Sequence, residues 1–431
     1  MLERYDIHNQ FQASLQAFRD GDPHLKRLSE YTYQYHFDWW KGLSLQTPGI
    51  YTLTGGRQVG KSTSCKQLIA HCLAKKIFSP ESILYLTCDE IYDSKTLSRV
   101  LNEFFQKVGR QKFLLVIDEV TYVQNWDRVI KARADEGFFH HGVCLLTGSD
   151  TFILKEAAMR FPGRRGEADK TDFHLYPLSF SEYVDLLGKT DDASGYFEDY
   201  LLCGGYLRAI NDLAKHNEIK QATYLTYEEW VRGDFLKRGK SEETLLDVIA
   251  ALMTVGVSQI SFSKLTQKIG NISKETCMDY CRILERMDVN FNLQAYDQNK
   301  RQGFPRKDRK FHFSDPFICR AMRHWLMKEG RIMQEVDESF LVESCVASHC
   351  RRFGRSFYFK GQGEVDVIYL KDQKARAIEV KWSSQLRAND LKMLKQFDDS
   401  IVLTKNLAEG SIEHTLSMPV WKFLLENCVG T

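Results

Sequence analysis

The chain has 431 residues, a length that fits roughly three domains at about 150 residues each. Hydrophobic residues make up 43% and charged residues 27%, with 8 prolines and 27 glycines, which excludes disorder, collagen-like repeats and linker-dominated architectures. Against 59 basic residues stand 57 acidic ones, a net charge of +2, so any nucleic-acid site has to be a local patch.

No stretch approaches the roughly 18 apolar residues that span a bilayer. The opening MLERYDIHNQFQASLQAF carries acids and amides where a signal peptide needs an apolar core, so a cytoplasmic protein without a membrane partner is expected. The 11 cysteines are scattered and form no CxxC pair, as reduced thiols in a cytosol would.

Residues 1–48 read as a mostly helical N-terminal extension that includes the aromatic run YTYQYHFDWW at 31–40. From Gly49 the pattern alternates. GIYTLT, SILYLTC, KFLLVID and GVCLLTG are buried-strand runs separated by helical or polar segments, which predicts an α/β domain over 49–180 built on a mainly parallel, doubly wound sheet. After Pro177 the strands stop. LSFSEYVDLL, YFEDYLLCGGYLRAI and IKQATYLTYEEWVRGDFLK predict a helical lid or connector over 181–240.

Residues 241–325 predict helices at 242–254, 261–269 and 273–287 and then a strand pair, VNFNLQAY and RKFHFSD, the order of a winged helix-turn-helix. Lys274, Thr276 and Arg282 lie on or near the second helix of the turn. KRQGFPRKDRK adds six basic residues (Lys300, Arg301, Arg306, Lys307, Arg309 and Lys310) against Asp308, a cationic wing suited to phosphate contact. Protein contact is the other reading of such a unit. From 326 to 431 the order is helix (SFLVESCVASHCRRF), strands (SFYFK, EVDVIYL, ARAIEVKW), helix (ANDLKMLKQF) and strand (SIVLT), a compact α/β domain.

Positions 55–62, GGRQVGKS, match GxxxxGK[ST] between a predicted strand and a predicted helix. Gly55, Gly56, Arg57, Gln58, Val59 and Gly60 form a loop whose backbone N–H groups can face phosphates, with the helix start at Lys61, Ser62 and Thr63. Lys61 reaches the β- and γ-phosphates of ATP, and the Ser62 hydroxyl can ligate Mg²⁺. FLLVIDEV delivers Asp118 to the Mg²⁺ shell and Glu119 to an attacking water. Thr147 and Ser149 end the next strand, either to sense the γ-phosphate and water or only to cap the strand. Arg164 and Arg165 sit on the glycine-flanked loop FPGRRGE as a candidate arginine finger, with a solvated basic turn as the other reading.

Together, YTLTGGRQVGKST, VIDEVTYVQNWDRVIKARAD, LLTGSD, and PGRRGE followed by LYPLSFSEYV resemble a prokaryotic AAA-type P-loop ATPase family. LLCGGYLRAI and RKFHFSDPFI extend the resemblance, which covers about residues 30–405. It implies an ATPase domain followed by helices, a winged-helix unit and a C-terminal nuclease-like domain. It carries over Lys61, Ser62, Asp118, Glu119 and Arg164. Leu207 stands where the family has proline after the glycine pair.

GEVDVIYLKDQKARAIEVKW places Asp366 on one strand and Glu379 and Lys381 on the same face of the next. Two carboxylates and a lysine on one surface can bind Mg²⁺, orient a water and stabilise a phosphorane-like transition state. The set resembles the PD-(D/E)xK nuclease signature, with Val365 in the place of its proline. Glu343, on the preceding helix, falls where another acidic metal ligand belongs. Arg351, Arg352, Arg355 and Lys360 form a nearby basic patch. The whole reads as an ATP- and Mg²⁺-dependent ATPase controlling a DNA-associated module, and a trans-acting arginine would require a second copy of the chain. A nucleotide-gated signalling or interaction protein with an inactive nuclease-like domain is the alternative.

Overall fold

The computed structural model describes residues 8–150, 153–154, 156, 161, 163–188, 193–335, 337–371, 374–383, 391–407, 409–412 and 415–426. They fall into two compact units, residues 1–176 and 177–431. The division comes four residues before the expected boundary, where the last strand of the parallel sheet gives way to helices.

Unit 1 opens with α1 (Leu15–Gly21) and α2 (Pro23–Ser29). Asp22 ends the first and starts the second: Pro23 has the φ a helix start requires, and the Asp22 carboxylate accepts the His24 and Leu25 N–H groups. The aromatic run that follows is not helical as expected. Residues 31–38 carry no helix, and Gln67 accepts the Phe37 N–H and donates to Tyr35 O, both at 3.0 Å, in place of a helical ladder; Trp39 and Trp40 then open a 3₁₀ turn, Trp39–Gly42.

β1 (Gly49–Thr54), α3 (Lys61–Ala74), β2 (Ile83–Thr87), α4 (Ser94–Val108), β3 (Phe113–Asp118), α5 (Trp126–Asp135), β4 (Gly142–Gly148) and β5 (Asp172–His174) then alternate. Their strands pair in the order β2-β3-β4-β1-β5, all parallel, as the uninterrupted apolar runs predict. β4 is inserted between β1 and β3, so the phosphate loop and the acids after β3 flank a third strand end. Leu101, Phe104 and Phe105 of α4 pack with Leu115 and Ile117 of β3 and Trp126 and Ile130 of α5 in one core.

The N-terminal extension is tied to this sheet by a buried ion pair. Lys66 Nζ lies 2.9 Å from Asp22, with neither side chain exposed, donates to His8 O at 2.8 Å, and sits 3.5 Å above the Tyr85 ring. Burial pulls the Lys66 ammonium down to about 8. Asn9 brackets the Tyr85 backbone, donating to its carbonyl and accepting its N–H.

Unit 2 begins with α6 (Phe180–Leu187), α7 (Ala193–Cys203), α8 (Leu207–His216) and α9 (Gln221–Lys237). A capping box of Ser179 and Glu182 starts α6. Leu207 is the first residue of α8, a position that favours proline but accepts leucine at little cost, so the missing proline leaves the turn intact. α10 (Glu242–Val255), α11 (Phe262–Ile269) and α12 (Lys274–Arg286) follow within two residues of expectation.

The expected wing is β6 (Asn290–Asp297) and β7 (Gln302–Phe313), an antiparallel pair. α13 (Pro316–Lys328) and α14 (Glu338–Phe353) lead to β8 (Arg355–Lys360), β9 (Glu364–Lys371), β10 (Lys374–Lys381), β11 (Asp399–Thr404), β12 (Gly410–Ile412), β13 (Thr415–Pro419) and α15 (Val420–Glu426). The expected helix ANDLKMLKQF lies partly outside the described residues, and its described end is one 3₁₀ turn, Leu394–Gln396. The wing is not free-standing. β6 joins β8 through Ala295 and Tyr358, giving one sheet in the order β12-β13-β11-β10-β9-β8-β6-β7. The Tyr358 hydroxyl donates to Asp308 O at 2.6 Å, and Ile260 and Arg309 exchange both backbone hydrogen bonds.

The glycine pair and the aspartate of SDPF meet. Asp315 is buried, accepting Gly205 N–H at 2.9 Å and capping α13 through Phe317 N–H at 2.8 Å. Gly204 has φ +54, and a Cβ there would fall 1.8 Å from the Asp315 carboxylate. Burial pushes the Asp315 carboxyl up to about 6.

Two outcomes are expected. Gly204→Ala lowers the stability of unit 2 by about 2 kcal/mol or more, through the αL strain and the displaced carboxylate; urea denaturation reads this as a lower midpoint. Asp22→Asn leaves the Lys66 ammonium buried without its counter-charge and destabilises unit 1 by about 3–5 kcal/mol, read the same way.

Candidate functional site

At the C-terminal edge of the parallel sheet, β1 feeds the phosphate loop and α3. Gly60 caps α3 with φ +100, and any Cβ would press 2.6 Å from the Phe37 ring, so glycine is required both by the backbone and by the packed extension. Lys61 is buried, and its Nζ donates to the Gly55 and Gly56 carbonyls at 2.9 Å. The ammonium is held inside the loop that a triphosphate would occupy. Arg57 reaches out of the loop to the Tyr122 hydroxyl. Gln58 takes φ +62, and Val59 is buried.

Asp118 gathers three hydroxyls. Ser62 donates to its Oδ2 at 2.6 Å, Tyr85 to the same oxygen, and Thr147 to Oδ1. These come from α3, β2 and β4, so one carboxylate on β3 ties four elements together. Ser62 and Asp118 are the pair that would hold Mg²⁺. One hydroxyl and one carboxylate beside a backbone cradle suit an ion that keeps several waters and shares phosphate oxygens. Bound there, the ion would neutralise charge on the β- and γ-phosphates.

Glu119 follows in the left-handed region, φ +52, which turns its side chain away from the strand direction. Its N–H donates to Thr147 Oγ1 at 3.1 Å. One carboxylate oxygen accepts from Ser149 N–H at 3.0 Å and Ser149 Oγ at 3.1 Å, and the other lies 3.7 Å from Lys61 Nζ. Ser149 and Lys61 thus aim Glu119 across the mouth of the loop, where it can accept a proton from water. Ser149 acts on Glu119 in this structure, and Thr147 on both acids. The candidate arginines are engaged elsewhere: Arg164 pairs with Asp135, while Arg165 pairs with Asp172 and donates to Ile50 O and Thr171 O, stitching β1 to β5. Tyr85 escaped the sequence reading, although a tyrosine inside a fully buried parallel strand needs a partner for its hydroxyl.

In unit 2, β9 and β10 pair antiparallel with Val367 opposite Ile378, so Asp366 and Glu379 stand one step further along on neighbouring strands. Both Asp366 oxygens are taken by the chain: Oδ2 accepts Val380 N–H at 2.9 Å, and Oδ1 lies 2.8 Å from Lys310 Nζ. The same ammonium is 2.8 Å from Glu343 Oε1 and 2.7 Å from Glu364 Oε1. Lys381 turns back on its own strand to Glu379 Oε1 at 2.7 Å, while Glu379 Oε2 is buried without a hydrogen-bond partner. Asp366, Glu343, Glu379 and Lys381 are therefore close together, but with a cation already among the carboxylates. Among the described residues no group of three or more acids, histidines or cysteines has the geometry of a metal site. Lys310 thus stands where Glu343, Glu364 and Asp366 converge, and Glu379 pairs with Lys381 alongside.

Electrostatics follow the geometry. Burial opposes the Lys310 charge, but Asp366, Glu343 and Glu364 hold it well above the usual lysine range. Burial and the Asp366 charge push Glu343 and Glu379 upward. Burial works against Asp366 as well, yet Lys310 keeps it low. His312, two residues along β7, is driven down to about 3 by burial and by Lys310, and stays neutral.

The expected basic surfaces are thinner than the sequence implies. Lys300, Arg301, Arg306 and Lys307 face water at the β6–β7 turn, but Arg309 lies over Phe262 and Lys310 is buried. Arg351 and Arg355 lie over Phe291 and Phe357, Arg352 approaches Glu182 at 3.7 Å, and Lys360 approaches Glu364 at 3.4 Å. On α12, Lys274 and Arg282 are exposed and Thr276 is half-buried. No helix among the described residues is long and apolar enough to cross a membrane. The ten described cysteines are all buried.

Residues 47–184 match a family described as an AAA domain, 194–329 a domain of unknown function (DUF8612), and 338–420 another (DUF4143). The chain is 24% identical over 423 residues to an uncharacterized protein of Methanocaldococcus jannaschii, covering 87% of this chain and 84% of that one. Among solved structures it is similar to a Walker-type ATPase of Pyrococcus abyssi, with 14% identity, a TM-score of 0.47, and coverage of 66% of this chain and 94% of the other. It is also similar to the Aeropyrum pernix ORC1 protein in complex with DNA, with 12% identity, a TM-score of 0.34, and coverage of 71% and 92%. With the parallel sheet and the phosphate loop at its edge, residues 47–184 are a P-loop domain of the AAA type.

Proposed function

We propose that the chain binds and hydrolyses ATP with Mg²⁺ in unit 1, and that its nucleotide state controls a DNA-associated winged-helix and nuclease-like module in unit 2. The observation that carries the first part is the closed network around Asp118 and Glu119. The loop lysine, the hydroxyl and carboxylate for the ion, and an acid aimed at water by Ser149 and Lys61 occupy one strand-end cluster. Lys61 offsets β/γ-phosphate charge, Ser62 and Asp118 hold the ion, and Glu119 takes the proton of the attacking water. Support for DNA is narrower: exposed Lys274 and Arg282 on α12 and four exposed basic residues at the β6–β7 turn.

A second reading is favoured by one observation, Lys310 among the unit 2 carboxylates. On it, the protein is a nucleotide-gated signalling or interaction protein whose nuclease-like domain binds a partner without cutting. Mg²⁺-dependent cleavage of plasmid DNA, lost in Asp366→Ala, would favour the first reading, and its absence the second.

Lys61→Ala is expected to abolish high-affinity binding of a fluorescent ATP analogue, and unchanged affinity would remove the phosphate-loop assignment. Glu119→Gln is expected to bind ATP but to hydrolyse it about 10²–10⁴-fold more slowly in a steady-state assay, because an amide cannot take the proton. If Arg164 or Arg165 acts in trans on a second copy, turnover per protomer rises with protein concentration and Arg164→Ala is partly rescued by mixing with Glu119→Gln; concentration-independent turnover without rescue favours a cis role or a solvated turn.

A further inference from the structure

The carboxylates of unit 2 converge on one point, and the chain itself fills it. Lys310 Nζ takes one oxygen from each of Glu343, Glu364 and Asp366 at 2.7–2.8 Å. The three acids come from α14 and β9, while the lysine comes from β7, in the hairpin whose sequence reads as a phosphate-binding wing. Side-chain exposure of Lys310 is 1%. Three carboxylates around one buried point would repel one another strongly unless a cation stood between them.

The lysine is also fixed from behind. Arg309 exchanges both backbone hydrogen bonds with Ile260, at 2.8 and 2.9 Å. Lys310 itself pairs with Leu293 in the β6–β7 register, and Tyr358 donates to Asp308 O. These contacts fix the β7 backbone at Lys310, and the three carboxylates hold its ammonium. Glu364 is likewise anchored, accepting from Gln259 at 2.8 Å. These contacts make Lys310 a built part of the cluster rather than a passing side chain.

We propose that Lys310 is the resident counter-ion of this carboxylate set, so that the C-terminal domain takes no divalent ion at Glu343 and Asp366. The carboxylates retain a ligand set without a vacancy, and deleting the ammonium creates one. The proposal concerns unit 2 alone and holds whatever unit 1 does with nucleotide.

The test uses the full chain without nucleotide and Mn²⁺ as the probe, followed by calorimetric titration and by melting. Wild type and Asp366→Asn should give the same Mn²⁺ isotherm, since any uptake they share belongs elsewhere. Lys310→Ala should melt at least about 5 °C below wild type in chelator, because three acids are left without their cation. Mn²⁺ should restore much of that loss, and adding Asp366→Asn to Lys310→Ala should remove the restoration. Lys310→Met, which keeps the stem and drops the charge, serves if the alanine variant does not fold. An Asp366-dependent Mn²⁺ signal in wild type overturns the proposal, and so does a folded Lys310 variant with no Asp366-dependent uptake. If neither variant folds, the wild-type and Asp366→Asn comparison decides alone: matching isotherms sustain the proposal and differing ones sink it. Nucleotide binding retained by the same samples, and lost in a separate Lys61→Ala variant, separates this outcome from the ATPase reading.

Discussion

Three hydroxyl groups converge on the Asp118 carboxylate, and unit 1 is organised around that convergence. Ser62, Tyr85 and Thr147 arrive from a helix and two strands that are far apart in sequence. A buried carboxylate is costly to desolvate, and several short donors offset the cost only if every strand end is in register. The parallel pairing of β2, β3 and β4 supplies that register, and the insertion of β4 beside β3 brings Thr147 within reach. Glu119 is then placed by default. Its backbone hangs on the same threonine, and its left-handed φ leaves its carboxylate facing Ser149. The geometry of the acid that faces water is inherited from the acid that does not.

The N-terminal extension belongs to the same chain of dependence. Tyr85 touches Asp118 with its hydroxyl, while its ring lies under the Lys66 ammonium and its backbone is clamped by Asn9. Asp22, outside the sheet domain in sequence, supplies the charge that lets Lys66 be buried there. The extension therefore supports the site twice, from behind the sheet through Tyr85 and at the phosphate loop, where the Phe37 ring packs against Gly60.

What the sequence made legible was local. Continuous apolar runs ending in glycine or acids marked β1, β3 and β4, and a spacing of residues within one loop marked Lys61 and Ser62. Strand alternation placed Asp366, Glu379 and Lys381 together, as the β9–β10 pairing does. What escaped were side chains whose partners lie many positions away. Nothing near Asp22 announces Lys66, and a wing of six basic residues gives no sign that Lys310 points inward while Lys307 points out. Alternation along β7 allowed that split, but only the neighbouring strand decides which face is buried. The aromatic run before β1 misled for a similar reason: its local pattern tolerated a helix, and one distant glutamine amide satisfied the backbone instead.

The joining of β6 and β7 to the C-terminal sheet has a consequence for how this chain can be divided or inherited. Sequence boundaries near 325 invite a cut between two modules, yet the eight strands form one ladder across that point. A fragment beginning after the hairpin would expose β8 as a bare edge, with open N–H and C=O groups ready to recruit another chain. It would also carry Glu343, Glu364 and Asp366 without the lysine that neutralises them. Recombination between related proteins is thus constrained to exchange hairpin and sheet as one cassette, and the chain's modularity is coarser than its list of motifs.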